Sequence, residues 1–226
     1  MIYLKYMKIT ILFAAALLSA AMIMACGSQA PVNNTNSNAA AGDNIAATPS
    51  NSVHGNMMHD RMDPAMVQSS ANAASAPYDL QFIDTMSAHH QAAVDMASLV
   101  PKRAAHAEIQ ALAADIMLGQ LKEISDMKAW RSQWFKDAPP ALNMEMPGMH
   151  DSMRGADMKN LESLNGNEFD LEFIRQMIPH HEGAVQMARD AAQRATKPQL
   201  KTLAAAIVSA QEAEIAKMKK WQEAWK

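Results

Sequence analysis

Three observations in the sequence predict an all-α fold, a four-helix bundle assembled from two copies of one helical hairpin. Residues 79–134 repeat at 170–225 with an offset of 91, so that DLQFIDTMSAHHQAAVDMA lies over DLEFIRQMIPHHEGAVQMA with 11 identities in 19 positions. Apolar residues recur at helical spacing in both copies and nowhere alternate as a strand would. Breakers stand in matching places, Pro101 in the first copy and Lys197-Pro198 in the second. Two hairpins, each with an apolar face that it cannot bury alone, most simply pack against one another about a pseudo-twofold axis.

Lys5 and Lys8, the apolar run Ile9–Met24 and the box Ile23-Met24-Ala25-Cys26 read as a lipoprotein signal peptide over 1–25, with the only cysteine as the lipidated residue. The run is short for a membrane span. Residues 26–76 carry few bulky apolar side chains and are read as a disordered tether that contains Met and His.

The bundle is assigned to 77–226: repeat 1 at 79–135, a Met-rich linker at 136–167, and repeat 2 at 168–226. In repeat 1, Phe82, Met86, His90, Ala93 and Ala97 share one face of the first helix. Ile109, Leu112, Ile116, Glu123, Met127 and Trp134 share one face of the second. Asp79 and Asp170 are expected as N-terminal caps or first-turn acids. The linker, which holds Pro139, Pro140, Pro147, Gly148, Gly155 and Gly166, is long enough to run the bundle's length as a ferritin-like crossover, and a shorter path also fits its length.

Composition excludes some functions. Removal of 1–25 leaves 18 basic against 23 acidic residues, a formal charge of −5, and no basic cluster, so nucleic acid is not an expected partner. The only cysteine would carry lipid, so no disulfide staples the fold.

The chemistry lies in histidine and methionine. Thioether and imidazole together suit Cu(I) or Ag(I) in an oxidising compartment, because a thioether is soft and needs no deprotonation. Met86 with His90, and Met177 with His181, are i,i+4 pairs able to grip one ion. His89 and His180 sit about 100° round the helix and can face the other hairpin, while Met96 and Met187 lie two turns along and could serve only a different ion. Gln120 and Glu123, with Gln211 and Glu214, are expected near these imidazoles as orienting partners, with Gln120 level with Met86. The alternative, histidines that are hydrogen-bonded core residues, stands beside this reading. Outside the repeats, His54, Met57, Met58, His59 and Met62 in the tether, and Met144, Met146, Met149, His150 and Met153 in the linker, are expected to capture metal in segments without a core. Pro179, where the first copy has Ala88, is expected to kink its helix and make the two sites inequivalent.

The pattern D-L-x-F-I-x-x-M-x-x-H-H-x-x-A-V-x-M-A, followed by I-x-x-x-Q-x-x-E-I-x-x-M-x-x-W, resembles the domain of unknown function 305 family in both copies. The resemblance implies a ferritin-like helical bundle exported from the cytoplasm. It also implies copper binding at Met86, His89, His90, Met96, Met177, His180, His181 and Met187. The function expected is a non-enzymatic, membrane-anchored periplasmic or surface protein that sequesters copper, as Cu(I), Cu(II) or in place of it Ag(I), for metal tolerance, with a metal-efflux system as a potential partner. A ferritin-like redox enzyme is the first alternative, but the sequence has no Glu-x-x-His of the kind di-iron bundles use. A metal-free structural or interaction protein of the envelope is the second.

Overall fold

The computed structural model describes residues 68–153 and 156–226. Cys26 and the tether residues His54, Met57, Met58, His59 and Met62 lie outside the described residues. A 3-10 turn at Ala73–Ser75 and seven α-helices occur among those described: α1 Tyr78–Ala97, α2 Val100–Arg103, α3 Ala107–Trp134, α4 Met149–Met153, α5 Met158–Ser163, α6 Gly166–Arg194 and α7 Pro198–Ala224. The bundle helices are α1, α3, α6 and α7. No helix among the described residues is long and apolar enough to cross a membrane.

Two buried carboxylates fix how the hairpins meet. Asp79, in the first turn of α1, accepts hydrogen bonds from Thr196 N–H (2.9 Å), Thr196 Oγ1 and Lys197 N–H (3.2 Å). Asp170, in α6, accepts from Ala105 N–H (3.1 Å), His106 N–H (2.8 Å) and His106 Nδ1 (2.7 Å). Each acid therefore satisfies the orphan amides that lead into the second helix of the opposite hairpin, α7 or α3. Asp79 is the expected first-turn acid of α1, whereas the expectation fails for Asp170: α6 begins at Gly166, four residues before it, and Glu168 occupies its first turn.

The same bonds set the topology. The start of α1 lies beside the α6–α7 turn, and the start of α6 beside the turn into α3, where Arg103 Nη1 also donates to Leu164 O at 3.1 Å. The helices thus run up, down, down and up, and residues 135–165 cross from one end of the bundle to the other. This is the ferritin-like crossover, and the shorter path is excluded. The crossover is strapped at repeat-related positions. Thr85 accepts from Asn143 N–H (2.9 Å), and its counterpart Gln176 accepts from Asp157 N–H (3.0 Å).

Two apolar clusters form the core. One holds Phe82, Met86, Met127 and Met187; the other holds Met96, Ile109, Phe173, Met177 and Met218. Complete burial of Phe82, Phe169 and Phe173 contributes about 1.5–3 kcal/mol for each. Because α1 and α6 are antiparallel, the residues before the HH pair in α1 and those after it in α6 share the first cluster.

The linker does not lie outside the core. Met146, Met149 and Met153 are buried in the first cluster, Leu161 is buried in the second, and Met144 packs against the first. This corrects the reading of 136–167 as a coreless Met-rich segment: the bundle's side is closed by α4, whose methionines face inward. Close approach explains how. A Cβ on Gly183 would collide with Ser152 and with Gly148 O, and Gly148 itself has φ +80°. The tether also gives way before residue 76, where Ala73 is buried and Ser70 N–H donates to Leu142 O at 2.8 Å.

Candidate metal centre

Between the two clusters lies a layer of four imidazoles. His89, His90, His180 and His181 are at most 1% exposed, although a histidine ordinarily keeps some contact with water. The apolar spacing of α1 and α6 explains the burial, since each HH pair occupies the inward stripe and its flank. Both helices are central, so the flank meets protein as well. The His89 and His180 rings lie across the α1–α6 interface with centroids 3.7 Å apart and planes tilted by 36°, as the outward turn of the first histidine of each pair predicts. The intra-pair rings are wider apart, at 6.4 Å and 6.1 Å.

Hydrogen bonds hold one nitrogen of His89 and of His181, a carboxylate stands near one nitrogen of His90, and neither nitrogen of His180 has a hydrogen-bond partner. His181 Nε2 is hydrogen-bonded to Glu214 Oε2 at 2.8 Å. His90 Nε2 stands at the same distance from Glu123 Oε2, but the alignment is too poor for a hydrogen bond and the contact is an ion-pair distance only. A carboxylate can only accept, so it places the ring proton on Nε2. His89 Nε2 lies 2.9 Å from Ser152 Oγ, and the Ser152 hydroxyl donates to Met149 O at 2.8 Å. A hydroxyl has one proton, so Ser152 accepts from His89 Nε2–H.

The consequence falls on the other nitrogen. All four Nδ1 atoms are buried without a well-directed hydrogen-bond partner. Burial above all, with the neighbouring imidazoles second, holds the His89 and His180 rings well below the ordinary histidine value. A neutral ring with its proton on Nε2 carries a bare lone pair on Nδ1, which is a metal donor. The donor set fits a soft ion: four lone pairs in a dry layer, bounded by the buried thioethers of Met86 and Met187 on one side and Met96 and Met177 on the other. Among the described residues no three His, Cys, Asp or Glu side chains form a ready-made metal cluster, so a site here would need thioether donors or a shift of the rings.

The predicted orienting residues divide. Glu123 and Glu214 reach the second histidine of each pair, whereas Gln120 and Gln211 do not. Gln120 is also not level with Met86. The His90–Glu123 and Ser87–Met127 contacts place the hairpin's midpoint near residue 107, because α2 and the extended residues after it lengthen the turn. Of the linker residues, His150 is exposed on α4 with Nδ1 3.8 Å from Asp151 Oδ1, and Met144, Met146, Met149 and Met153 pack as core. Ser152 of α4 joins that segment to His89 directly, a contact that sequence reasoning missed. The paired glycines Gly148 and Gly183 were the one available signal. His106 stacks on Trp225 with centroids 3.8 Å apart. α6 runs through Pro179 without interruption.

Solved structures with this architecture include CopM in its Cu(I)-bound form, at 41% identity and TM-score 0.56 over 65% of this chain and 96% of that one. CopM in its Cu(II)-bound form aligns at 40% identity and TM-score 0.58, over 66% and 97%, and CopM was also solved with Ag bound. A DUF305 protein of Streptomyces coelicolor, described as a candidate secreted protein, aligns at 32% identity and TM-score 0.57, over 69% and 96%. No curated protein matches the chain. The family model named domain of unknown function (DUF305) matches residues 79–222, nearly the whole of the described bundle, and the chain belongs to that family.

Proposed function

We propose that this protein is an exported, non-enzymatic binder of copper and, in its place, silver, which sequesters soft monovalent ions in the imidazole layer between the two methionine clusters. One observation carries the reading: four completely buried imidazoles each present an Nδ1 without a partner. A buried polar atom left unpaired costs about 1–3 kcal/mol, so four in one layer ask for a ligand. An ion that accepts these lone pairs removes the cost. CopM structures with Cu(I), Cu(II) and Ag bound support the same chemistry here.

In this reading Met86, His89, His90, Met96, Met177, His180, His181 and Met187 supply the donors. Glu214 holds His181 Nε2–H and so presents its Nδ1, and Glu123 stands at ion-pair distance from His90 Nε2. Ser152 does for His89 what Glu214 does for His181. The signal peptide and Cys26 would anchor the protein to a membrane surface outside the cytoplasm, within reach of an efflux partner, and the tether residues His54, Met57, Met58, His59 and Met62 would collect ions there.

The test compares melting with and without Ag(I) for the parent and for His90→Ala with His181→Ala. The parent should gain about 2.7 kcal/mol per site at free Ag(I) 100 times the dissociation constant, and the double variant should lose most of that increment. Equal increments would make the histidines structural only. Fatty-acid labelling of Cys26→Ala should fail where the parent labels; retained labelling would remove the anchor from the proposal.

A further inference from the structure

Over the buried histidine layer the outer helices α3 and α7 leave a gap. Between them runs a cleft whose lining is nearly its own image under the 91-residue repeat: Gln120, Glu123 and Ile116 on α3 face Gln211, Glu214 and Ile207 on α7 around a void of about 40 Å³. Gln120 and Gln211 are 4% and 3% exposed, yet Gln120 Oε1 and Nε2 and Gln211 Oε1 have no hydrogen-bond partner. Glu123 and Glu214 each commit Oε2 to an imidazole. Their other oxygens take no hydrogen bond from the described residues. Asp115 adds a third carboxylate, and no Lys or Arg lines the void.

These are oxygen donors with net negative charge, quite unlike the imidazoles and thioethers beneath them. We propose that the α3–α7 cleft holds a separate site for a hard divalent cation, with Gln120 Oε1, Gln211 Oε1 and the free oxygens of Glu123 and Glu214 as ligands. Carboxylate and amide oxygens prefer hard ions such as Mn(II) over Cu(I) or Ag(I). An ion here satisfies Oε1 of both buried carboxamides, leaving Gln120 Nε2 to donate to a bound water, and it does so without breaking the carboxylate–imidazole contacts, since each carboxylate has an oxygen for either side. The void admits one ion with a water or two, about 10–15 Å³ of such space being enough for a single water.

The site does not rest on the copper reading, because its ligands are not the metal-binding imidazoles and thioethers. The test titrates the full chain with Mn(II), following the loss of the free-ion electron spin resonance signal, in parent and variants. The parent should bind Mn(II), and saturating Ag(I) should leave that binding in place. Gln120→Leu with Gln211→Leu should weaken it by about tenfold or more, as loss of metal-site groups generally does, while helical content is followed by circular dichroism. If that variant does not fold, Gln211→Glu gives the complementary result, because an added carboxylate should tighten Mn(II) binding. Absence of Mn(II) binding in the parent would mean that the cleft holds only water, and would overturn the proposal. So would binding that none of these changes alters. Failure of Ag(I) to stabilise the bundle would leave the Mn(II) result standing and strike the copper reading alone.

Discussion

At the scale of single residues, the fit between α4 and α6 depends on a missing side chain. Gly183 stands where the first copy has Ala92, and a methyl group there would meet Ser152 and the Gly148 carbonyl. Gly183→Ala should therefore destabilise the protein by about 1–3 kcal/mol in urea melts, as overpacking does, and should weaken the His89–Ser152 bond. Substitution of a helical glycine that had room would stabilise instead, so the sign decides the matter. The buried imidazoles give a second prediction. Burial holds His89 and His180 below the ordinary value of 6.5, so below that pH the unfolded chain takes up protons that the folded chain refuses. Their contribution to stability is present above pH 6.5 and is lost as pH falls. With both rings neutral in the fold, stability should drop by about 2.7 kcal/mol per pH unit towards pH 5. Metal-free protein melted at pH 7.5, 6 and 5 checks this, and a flat profile would show that the rings protonate without penalty.

At the scale of elements, the acids that begin the repeats belong energetically to the other hairpin. Asp79→Ala removes the acceptor for Thr196 and Lys197 amides and should cost about 2–3 kcal/mol, given charge-assisted bonds of about 1.5–3 kcal/mol. Hydrogen exchange should rise at Thr196 and Lys197 before it rises within α1. The sequence disclosed that Asp79 and Asp170 open their repeats, since position and residue type are local facts. Their partners lie 117 and 64 residues away, and no local pattern points to them. The HH pairs were legible for a related reason: helical spacing alone assigns a side chain to a face. The turn's length was not, because α2 adds a turn of backbone that hydrophobic periodicity does not register, and so Gln120 was placed two turns from where it stands. The linker methionines were misplaced because polar neighbours such as Asn143, Glu145 and Asp151 gave no sign of the inward face that α4 presents.

At the scale of the whole molecule, the crossover is part of the core. Replacing Met146, Met149 and Met153 together by Ser should lower stability by several kcal/mol, since loss of one buried methionine side chain costs about 2–5 kcal/mol. Replacement by Leu, close in volume, should cost under about 1.5 kcal/mol for each. The Leu variant then reports metal stoichiometry without a folding artefact: fewer Ag(I) ions bound would mean that these thioethers are ligands as well as packing. The exchange of Asp79 and Asp170 between the hairpins has a further bearing on how the chain came about and how it behaves when cut. A lone hairpin leaves its turn amides bare and its acid unused, and a second copy of the same hairpin supplies what is missing on both sides. One hairpin could therefore have assembled with itself long before the two were joined in tandem. The present chain, divided within the crossover, should yield two fragments that are unstructured apart and that recombine one to one when mixed.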